Sequence, residues 1–459
     1  MAKMQRGYRC RECGWETVAY AGRCGGCQAW NTLDQYAESP RAAVAGRAVR
    51  SGVTPGRTLA LTSVLDDPGD RIATEIPELD RVLGGGLVPG SLVLVGGEPG
   101  IGKSTLMLQA AALLSAHGQR VAYVCGEESP RQVRLRASRL GISGEGITLV
   151  PETGLDAALA AAEGIGATIA IIDSIQSVYI EGLESRAGGP AQLAEAGARL
   201  VAWSKGNEIA TIVTGHVTKS GDIAGPRLLE HLVDAVLYFE SAEGGALRVL
   251  RAVKNRFGAT DEVGVFEMTG DGLRSVENPS AAFLEARDAG ASGCAVTAVV
   301  EGSRPLVIEV QALAVASPLS TPRRITSGLD TSRLHLLLAV LARRGGINAG
   351  NLDVVATVSG GLKLRDPSAD LAVVAALASA VADVPLPRET AFLGEVALSG
   401  AIRPVQQAQR RLVELARMGF QRCIVPPGTQ GIEGIALVRA ASVRDALRQS
   451  RLGLGGPAD

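Results

Sequence analysis

Aromatic residues are scarce in this 459-residue chain, and several other features are missing from it. Phe, Trp and Tyr together make up only 3% of the residues, so platforms of stacked aromatic rings do not dominate any binding surface. No run of eighteen apolar residues is free of charge or glycine, and the first ten residues lack the apolar core of a secretory signal. We therefore expect neither a membrane span nor secretion.

Net charge is also nearly absent. The 46 Lys and Arg residues almost balance the 47 Asp and Glu residues, which gives a formal charge of −1. A nucleic-acid partner would therefore need a local basic surface. The seven cysteines are an odd number and four of them are paired in spacing, which favours metal binding in a reducing compartment over disulfides. We expect a cytoplasmic protein.

The composition changes along the chain and predicts several domains. Residues 1–30 hold four cysteines, and residues 31–57 are rich in Ala, Gly, Ser, Pro and Arg, so we expect a small finger followed by a flexible linker. Over 58–276, apolar strands alternate with helical segments, which predicts a mostly parallel α/β sheet with helices on both faces. Residues 280–459 differ in pattern and predict a separate α+β domain. Its helices are expected at 332–343, 367–382 and about 406–418.

The four paired cysteines predict a zinc site. Cys10, Cys13, Cys24 and Cys27 form the pattern C-x₂-C-x₁₀-C-x₂-C, and two such knuckles can place four thiolates around one Zn²⁺ ion. Four protein ligands leave no position for water, so the predicted zinc is structural. A redox dithiol is the alternative interpretation. A small basic finger of this kind can contact nucleic acid or protein, and its composition does not decide between them.

A phosphate-binding loop is the strongest motif in the chain. "GGEPGIGKST" contains G-x-x-x-x-G-K-S between an apolar strand and a helix, so backbone N–H groups can cradle phosphates at the start of the helix. Lys103 is expected to neutralise the β- and γ-phosphates of ATP, and Ser104 to bind Mg²⁺. The expected nucleotide-binding residues of the loop are Gly97, Glu98, Pro99, Gly100, Ile101, Gly102, Lys103, Ser104 and Thr105.

Acidic residues at the ends of two other strands complete a predicted hydrolytic site. Asp173 ends the apolar run "ATIAIIDS", where an acid that holds Mg²⁺ through water is expected. Glu127 and Glu128 follow the strand "VAYVCG". We assign Glu127 to activation of the attacking water and keep Glu128 as the alternative, since acids before a helix also serve as partners of its dipole.

These motifs, taken in order, resemble the RadA (Sms) family of bacterial DNA repair proteins. The family resemblance rests on the four-cysteine finger, on "CGEES", "HVTKSGDIAGPRLLEHLVDAVLYFE" and "KNRFG", and on "ITSGLDTSRLHLLLAVLARRGG" and "FLGEVALSGAIRP" in the last third. It covers essentially the whole chain. It implies a RecA-like P-loop ATPase core, a zinc-ribbon-like finger and a C-terminal Lon-protease-like domain.

The resemblance also implies a function. Members of the family are expected to be DNA-dependent ATPases that form hexameric rings, bind single-stranded and branched DNA and promote branch migration of recombination intermediates, with the RecA recombinase as a further partner. Two alternatives remain open from the residues alone. The chain could be an ATP-gated oligomeric switch, or an ATP-dependent Lon-like protease.

Three further groups of residues take their expected roles from the resemblance. Residues 253–259, "VKNRFGA", are expected to form a tight, glycine-ended loop. Lys254 and Arg256 of this loop are expected to reach the γ-phosphate of a neighbouring subunit, and a solvated basic turn is the alternative. His216 is expected to sense that phosphate. The segment 185–192 departs from the Ser-x-Pro-Gly-Ser pattern of the family. The expected DNA contacts are Arg186, Lys219 and Arg227.

The Lon-like domain is expected to be inactive as a protease. Ser368 lies where the family of Lon proteases carries its nucleophile, but Gln409 occupies the position that we match to the catalytic lysine. Without a base, serine stays protonated and weakly nucleophilic. The domain is instead expected to hold the ring together and to present basic residues: Arg323, Arg324, Lys363, Arg365 and Arg403.

Overall fold

The computed structural model describes residues 6–11, 16–17, 21–37, 71–216, 226–241, 247–260, 262–285, 287, 290–450 and 452. The chain divides into two compact units, Met1–Asp66 and Asp67–Asp459. Among the described residues, no helix combines the length and the apolar character needed to cross a membrane.

The first unit is a three-stranded antiparallel finger. Its strands are β1 (Arg6–Cys10), β2 (Glu16–Thr17) and β3 (Leu33–Ala37), with β1 in the centre. The sequence predicts that the linker begins at residue 31. Because β3 extends to Ala37, the first residues of that segment belong instead to the finger. Leu33 is buried against Cys10 and Cys24, an apolar contact that the average composition of 31–57 conceals.

The second unit begins with an α/β part whose central strands are fully buried. Its elements are α1 (Pro77–Leu83), β4 (Leu92–Gly97), α2 (Lys103–Ala116), β5 (Val121–Cys125), α3 (Pro130–Arg139), β6 (Ile147–Val150), α4 (Leu155–Gly164), β7 (Ile169–Asp173), α5 (Pro190–Asn207), β8 (Ala210–His216), α6 (Pro226–Glu230), β9 (Ala235–Ser241), β10 (Leu247–Asn255), β11 (Val263–Thr269) and β12 (Gly272–Ser275).

These strands form one nine-stranded sheet in the order β12-β11-β10-β9-β4-β8-β7-β5-β6. The six strands from β9 to β6 are parallel, and β10 to β12 extend the sheet antiparallel. One apolar cluster packs α1, α2 and α3 on one face, and a second packs α4 and α5 on the other. The predicted parallel sheet with helices on both faces is confirmed. Its geometry places the ends of β4, β5, β7 and β8 at one edge.

The remaining part of the second unit is an α+β fold. Its elements are α7 (Pro279–Leu284), β13 (Cys294–Glu301), β14 (Arg304–Ala316), β15 (Arg324–Ser327), α8 (Thr331–Val340), a π turn (Leu341–Gly345), β16 (Leu352–Val358), 3₁₀ turns (Ser359–Gly361 and Pro367–Ala369), α9 (Asp370–Ala382), β17 (Thr390–Phe392), β18 (Glu395–Val396), β19 (Ile402–Arg403), α10 (Ala408–Arg417), β20 (Arg422–Val425), β21 (Ala436–Arg439) and α11 (Val443–Gln449).

A mixed seven-stranded sheet, ordered β15-β16-β14-β13-β17-β20-β21, organises this part. The three helices that the sequence predicts correspond to α8 with its π turn, to the second 3₁₀ turn with α9, and to α10. The helix α9 is buried along nearly its whole length because its sequence is almost entirely apolar.

The α/β and α+β parts are joined by a buried boundary. Glu301 at the end of β13 pairs with Arg251 of β10, and Arg304 at the start of β14 pairs with Glu78 of α1 at 2.6 Å. An apolar cluster crosses the same boundary and includes β10, β11, β13 and β14. Because paired charges and apolar contacts are shared, the two parts form one compact unit.

Candidate active site

The phosphate loop joins the end of β4 to the start of α2. A side chain at Gly97 would meet the carbonyl oxygen of Phe239 at 2.6 Å, and Gly102 has a φ of 116°. Both positions therefore require glycine. Because the N-cap residue of α2 is Gly102, no side chain covers the first N–H groups of the helix, and they stay available to an anion. The other predicted loop residues lie between these glycines or in the first turn of α2: Glu98, Pro99, Gly100, Ile101, Lys103, Ser104 and Thr105.

Lys103 is buried inside this loop. Its Nζ donates hydrogen bonds to the carbonyl oxygens of Gly97 at 2.8 Å and Glu98 at 3.0 Å, and lies 3.2 Å from Nδ1 of His216. Burial lowers the pKa of Lys103 to about 8, although two nearby carboxylates act in the opposite direction. The amine is thus held against backbone oxygens at the position where phosphate oxygens are expected.

Asp173 lies at the end of β7, beside the phosphate loop. It is 7% exposed. The hydroxyl of Tyr123 donates to its Oδ2 at 2.8 Å, and the hydroxyl of Thr214 donates to its Oδ1 at 2.6 Å. Burial, followed by the charge of Asp173, raises the pKa of Tyr123 well above its usual range. Neither hydroxyl group stands out in the sequence, because both residues lie inside apolar runs that predict ordinary buried strands.

Glu127 is linked to Lys103 through His216. Oε1 of Glu127 accepts a hydrogen bond from the hydroxyl of Ser174 at 2.6 Å and lies 3.0 Å from Nε2 of His216. Since the Lys103 amine can only donate, Nδ1 of His216 accepts and Nε2–H donates to Glu127. The hydrogen bond from His216 is the largest cause that lowers the pKa of Glu127. The structure therefore brings these three predicted residues together.

Glu128 faces away from this network. Its Oε1 pairs with Arg136 of α3 at 2.6 Å. Ser129 caps α3 in a reciprocal capping box with Gln132, which fixes the turn after the two acids. Of the acid pair, only Glu127 is connected to the phosphate loop.

Lys254 lies in a strand, which corrects one local prediction. The sequence predicts a loop over 253–259, but β10 continues to Asn255 and contains a bulge at Val253. Lys254, Asn255 and Arg256 are polar and stand shortly before a glycine, a pattern typical of a turn, so the sequence does not indicate that the strand continues to Asn255. Nζ of Lys254 donates to the carbonyl oxygen of Glu230 at 2.7 Å and to that of the following residue at 3.2 Å. Burial, and then the charge of Arg256, lowers the pKa of Lys254.

The turn after β10 is fixed by Asn255 and leaves Arg256 largely in solvent. Nδ2 of Asn255 donates to the carbonyl oxygens of the last two residues of α1, and its Oδ1 accepts from the N–H of Phe257 at 2.9 Å. The side chain of Arg256 is 54% exposed and pairs with Asp234 at 3.2 Å. Asp234 itself is buried and also accepts a hydrogen bond from the N–H of Leu92 at 3.1 Å, so this carboxylate keeps a second partner when the guanidinium turns away.

Lys254 and Arg256 lie at the edge of the sheet opposite the phosphate loop. Asn255, between them in sequence, pairs with Ala235, which pairs with Val93 near the start of β4. The phosphate loop leaves β4 four residues later, about 13 Å farther along the strand. The structure does not bring the two cations together with Lys103 of the same chain.

The predicted DNA contacts lie partly outside the described residues. Arg186 is an exposed residue of the connection between β7 and α5. Gln192 fixes this connection, since its amide bonds the backbone of Ile180, Leu183 and Ser185. Lys219 and the side chain of Arg227 belong to the part that the structure does not describe.

Three of the four predicted zinc ligands lie together in the finger. The sulfur atoms of Cys10, Cys24 and Cys27 lie within 4.8 Å of one another, and those of Cys10 and Cys27 are 3.7 Å apart. A tetrahedral zinc site with bonds of about 2.3 Å requires sulfur atoms about 3.8 Å apart. The N–H of Gly26 also points at the sulfur of Cys24 at 3.3 Å. These residues fit zinc, and Cys13 lies outside the described residues.

Ser368 contacts an arginine, which corrects the match made from the sequence. Gln409 lies on the exposed side of α10 and bonds Gln430, whereas Nη1 of Arg411 donates to the Ser368 hydroxyl at 2.8 Å. Arg411 therefore takes the place beside Ser368 that the catalytic lysine has in a Lon protease. This follows because α10 begins at residue 408, so that its first turn directs the side chain of Arg411 toward Ser368. Arg411 also pairs with Asp366 at 2.6 Å. A guanidinium does not deprotonate in proteins, so Ser368 has no base here.

We expect Arg411 to stabilise the domain. Its side chain is 5% exposed, and removal of one partner from a buried ion pair costs about 3–5 kcal/mol. Arg411→Ala should therefore lower the free energy of unfolding by about this amount, measured by urea denaturation. Arg410→Ala, an exposed neighbour, is the matched control and should be nearly neutral. Equal urea midpoints for the Arg411→Ala and Arg410→Ala variants would contradict this stabilising role. Separately, cleavage of casein by the native chain would contradict the conclusion that the Ser368 site is inactive as a protease.

The predicted basic residues of the α+β part are mostly paired. Arg324 donates to backbone carbonyl oxygens, including that of Ala349 at 3.0 Å. Lys363 pairs with Glu240 at 3.4 Å, and Arg403 with Glu395 at 3.5 Å. The carboxylates partly offset the charges of Lys363 and Arg403, and the carbonyl oxygens occupy N–H donors of Arg324.

Comparison with known families gives three matches along the chain. Residues 8–35 match the rubredoxin metal binding domain, residues 57–222 match the AAA domain, and residues 350–429 match the ChlI subunit of Mg-chelatase. The first match lies mostly in the predicted finger and extends into the predicted linker, the second covers most of 58–276, and the third lies within 280–459.

Curated relatives extend the similarity to nearly the whole chain, whereas two solved structures cover less than half of it. The DNA repair protein RadA of Bacillus subtilis is 43% identical over 99% of this chain and 100% of its own length, and that of Pseudomonas aeruginosa is 47% identical over 97% and 100%. The RadB recombinase structure covers 45% of this chain and 100% of its own, at 26% identity and a TM-score of 0.37. A KaiC-like protein of Pyrococcus horikoshii covers 45% and 98%, at 23% and 0.38.

Proposed function

The chain belongs to the RadA family of DNA repair proteins, and from this premise we propose that it hydrolyses ATP to move on DNA during recombinational repair. It has the fold of the family: a zinc-ribbon finger, a RecA-like ATPase core and a Lon-protease-like domain. The observation that carries the proposal is the chain of contacts from Lys103 through His216 to Glu127 beside an open phosphate loop.

Hydrolysis follows from the positions of these groups. The N–H groups at the start of α2 and the Lys103 amine bind the phosphates and compensate their charge. Glu127, an ionised carboxylate at the same edge of the sheet, takes the proton of the attacking water. His216 joins the two, so that the position of Lys103 on the phosphates is transmitted to the base.

The oxygen atoms at this edge suit a magnesium ion. Mg²⁺ prefers hard oxygen ligands and keeps several waters, and the hydroxyl of Ser104 and the carboxylate of Asp173 are such ligands. Both lie at the edge where β4 and β7 end. When bound, the ion supplies neutralisation of charge on the β- and γ-phosphates.

The location of Lys254 and Arg256 supports an active site shared between subunits. Both cations lie at the sheet edge opposite the phosphate loop, where they are far from the nucleotide of their own chain. In a head-to-tail ring, each subunit presents one edge to the next, so these cations would serve the nucleotide of a neighbour. This arrangement requires an oligomer, and we propose the hexameric ring of the family.

We place single-stranded and branched DNA in the lumen of that ring, with Arg186, Lys219 and Arg227 as contacts and branch migration as the outcome. The cysteine thiols of the finger, which hold the structural zinc, fit a reducing cytoplasm. We propose the finger as a contact for DNA or for the RecA recombinase. The buried pair of Ser368 and Arg411 opposes the alternative of a Lon-like protease.

The proposal is tested by ATP hydrolysis with and without single-stranded DNA. A motor on DNA requires that DNA raise the steady-state rate several-fold, whereas an ATP-gated switch gives a rate that DNA leaves unchanged. The Lys103→Ala variant is the control for contaminating activity. A rate in the native chain that does not respond to DNA would favour the switch.

A further inference from the structure

Each carboxylate oxygen of Asp173 accepts a hydrogen bond from a hydroxyl group that belongs to none of the sequence motifs described above. In the sheet, β7 lies between β8 and β5. Thr214 of β8 donates to one carboxylate oxygen and Tyr123 of β5 donates to the other, at 2.6 and 2.8 Å. Each neighbouring strand thus contributes one donor to the last residue of β7.

The register of the strands explains why both donors reach the same carboxylate. Cys125 pairs directly with Asp173, and Tyr123 lies two residues earlier on the same face of β5. Its ring spans the intervening distance and brings the hydroxyl to Asp173. On the other side, Ile172 pairs with Val213, so Thr214 follows directly beside Asp173.

Burial makes these two hydrogen bonds strong and specific. Tyr123 is 1% exposed and Thr214 is fully buried, so water does not replace either donor. A carboxylate offers about four acceptor sites, and the two hydroxyl groups occupy one on each oxygen. The carboxylate plane is therefore fixed, and no other side chain among the described residues donates to the second acceptor site of either oxygen.

From this geometry we infer that Tyr123 and Thr214 are positioning residues that orient Asp173 toward magnesium-bound nucleotide. The inference rests on the proposed ATPase function. Partners of this kind, one step removed from a metal, change metal affinity or activity by about 10- to 100-fold when removed. Neither side chain is assigned a contact with the nucleotide itself.

The chain offers a matched set of variants. Thr214→Val removes the hydroxyl at almost constant shape, and Thr214→Ser keeps it. Thr211 is a second buried threonine of the same strand, whose hydroxyl bonds Ser204 at 2.8 Å instead of Asp173, so Thr211→Val removes a buried hydrogen bond elsewhere. Tyr123→Phe tests the other side of the carboxylate.

The measurement is the affinity of the full chain for a fluorescent, non-hydrolysable ATP analogue, with EDTA and with increasing Mg²⁺. We expect Thr214→Val and Tyr123→Phe to need about tenfold more Mg²⁺ for tight binding, with the affinity in EDTA unchanged. Thr214→Ser and Thr211→Val should behave as the native chain. Thermal unfolding of Thr214→Val should match that of Thr211→Val, so that a folding defect is recognised.

Two results would overturn the inference. One is the same magnesium dependence in Thr214→Val and Thr211→Val, and the other is a native affinity that does not respond to Mg²⁺. Hydrolysis is measured in parallel on the same samples. If the native chain hydrolyses no ATP, the proposed function fails, while the binding series still decides whether the two hydroxyl groups orient Asp173.

Discussion

Replacement of Glu127 by glutamine is expected to lower the rate of ATP hydrolysis by about 10²- to 10⁴-fold, with nucleotide affinity retained. Glutamine can still accept the hydrogen bonds from Ser174 and His216, so the local structure should persist. It cannot take a proton from water, so only the chemical step should suffer. Single-turnover hydrolysis and binding of a fluorescent ATP analogue separate the two effects.

Glu128→Gln is the matched control for this prediction. Glu128 is adjacent in sequence and also acidic, but it pairs with Arg136 of α3. Its replacement should lower the rate only slightly. A large loss in Glu128→Gln together with a normal rate in Glu127→Gln would exchange the two assignments.

Replacement of Arg256 by alanine is expected to lower hydrolysis by about 10³-fold or more, the usual effect of a cation supplied to the γ-phosphate from outside the site. Fold and nucleotide binding should be preserved, because the side chain is half-exposed and its partner Asp234 keeps the N–H of Leu92. The measurement is steady-state hydrolysis with saturating DNA. The nucleotide affinity of the same variant shows whether the loss lies in the chemical step.

The control for Arg256 is Arg274→Ala. Arg274 of β12 is also an exposed arginine in an ion pair, with Glu267 at 2.6 Å, but it belongs to no predicted site. Its replacement should leave hydrolysis unchanged. If Arg256→Ala retains the native rate, the turn after β10 is only a solvated basic turn.

Much of the fold could be predicted because it depends on local patterns. The phosphate loop needs glycine at positions where a side chain would collide with the backbone, as at Gly97. Its glycine pattern therefore identifies the loop structure from the sequence. Fully apolar strands between helices imply a covered parallel sheet. Ser129 suits the N-cap of α3 and Pro130 its first turn, because helix capping depends on a few consecutive residues.

Most of the missed features depend on contacts between distant segments. Thr214 and Tyr123 look like ordinary strand residues until the sheet order places both beside Asp173. The match of Gln409 failed because the first turn of α10 decides which side chain faces Ser368, and a shift of two residues brings Arg411 there instead. The end of the strand that contains Lys254 is hidden for a local reason, because polar residues followed by a glycine are typical of a turn.

The measurement that tests the central claim most directly is hydrolysis by mixed rings. Lys103→Ala and Arg256→Ala subunits are each expected to be nearly inactive, the first in its own nucleotide site and the second in the site of its neighbour. In a randomly mixed ring, roughly a quarter of the interfaces join an intact Lys103 to an intact Arg256. We predict that mixing restores DNA-stimulated hydrolysis well above the sum of the separate variants. A mixture no more active than that sum would contradict an active site shared between subunits.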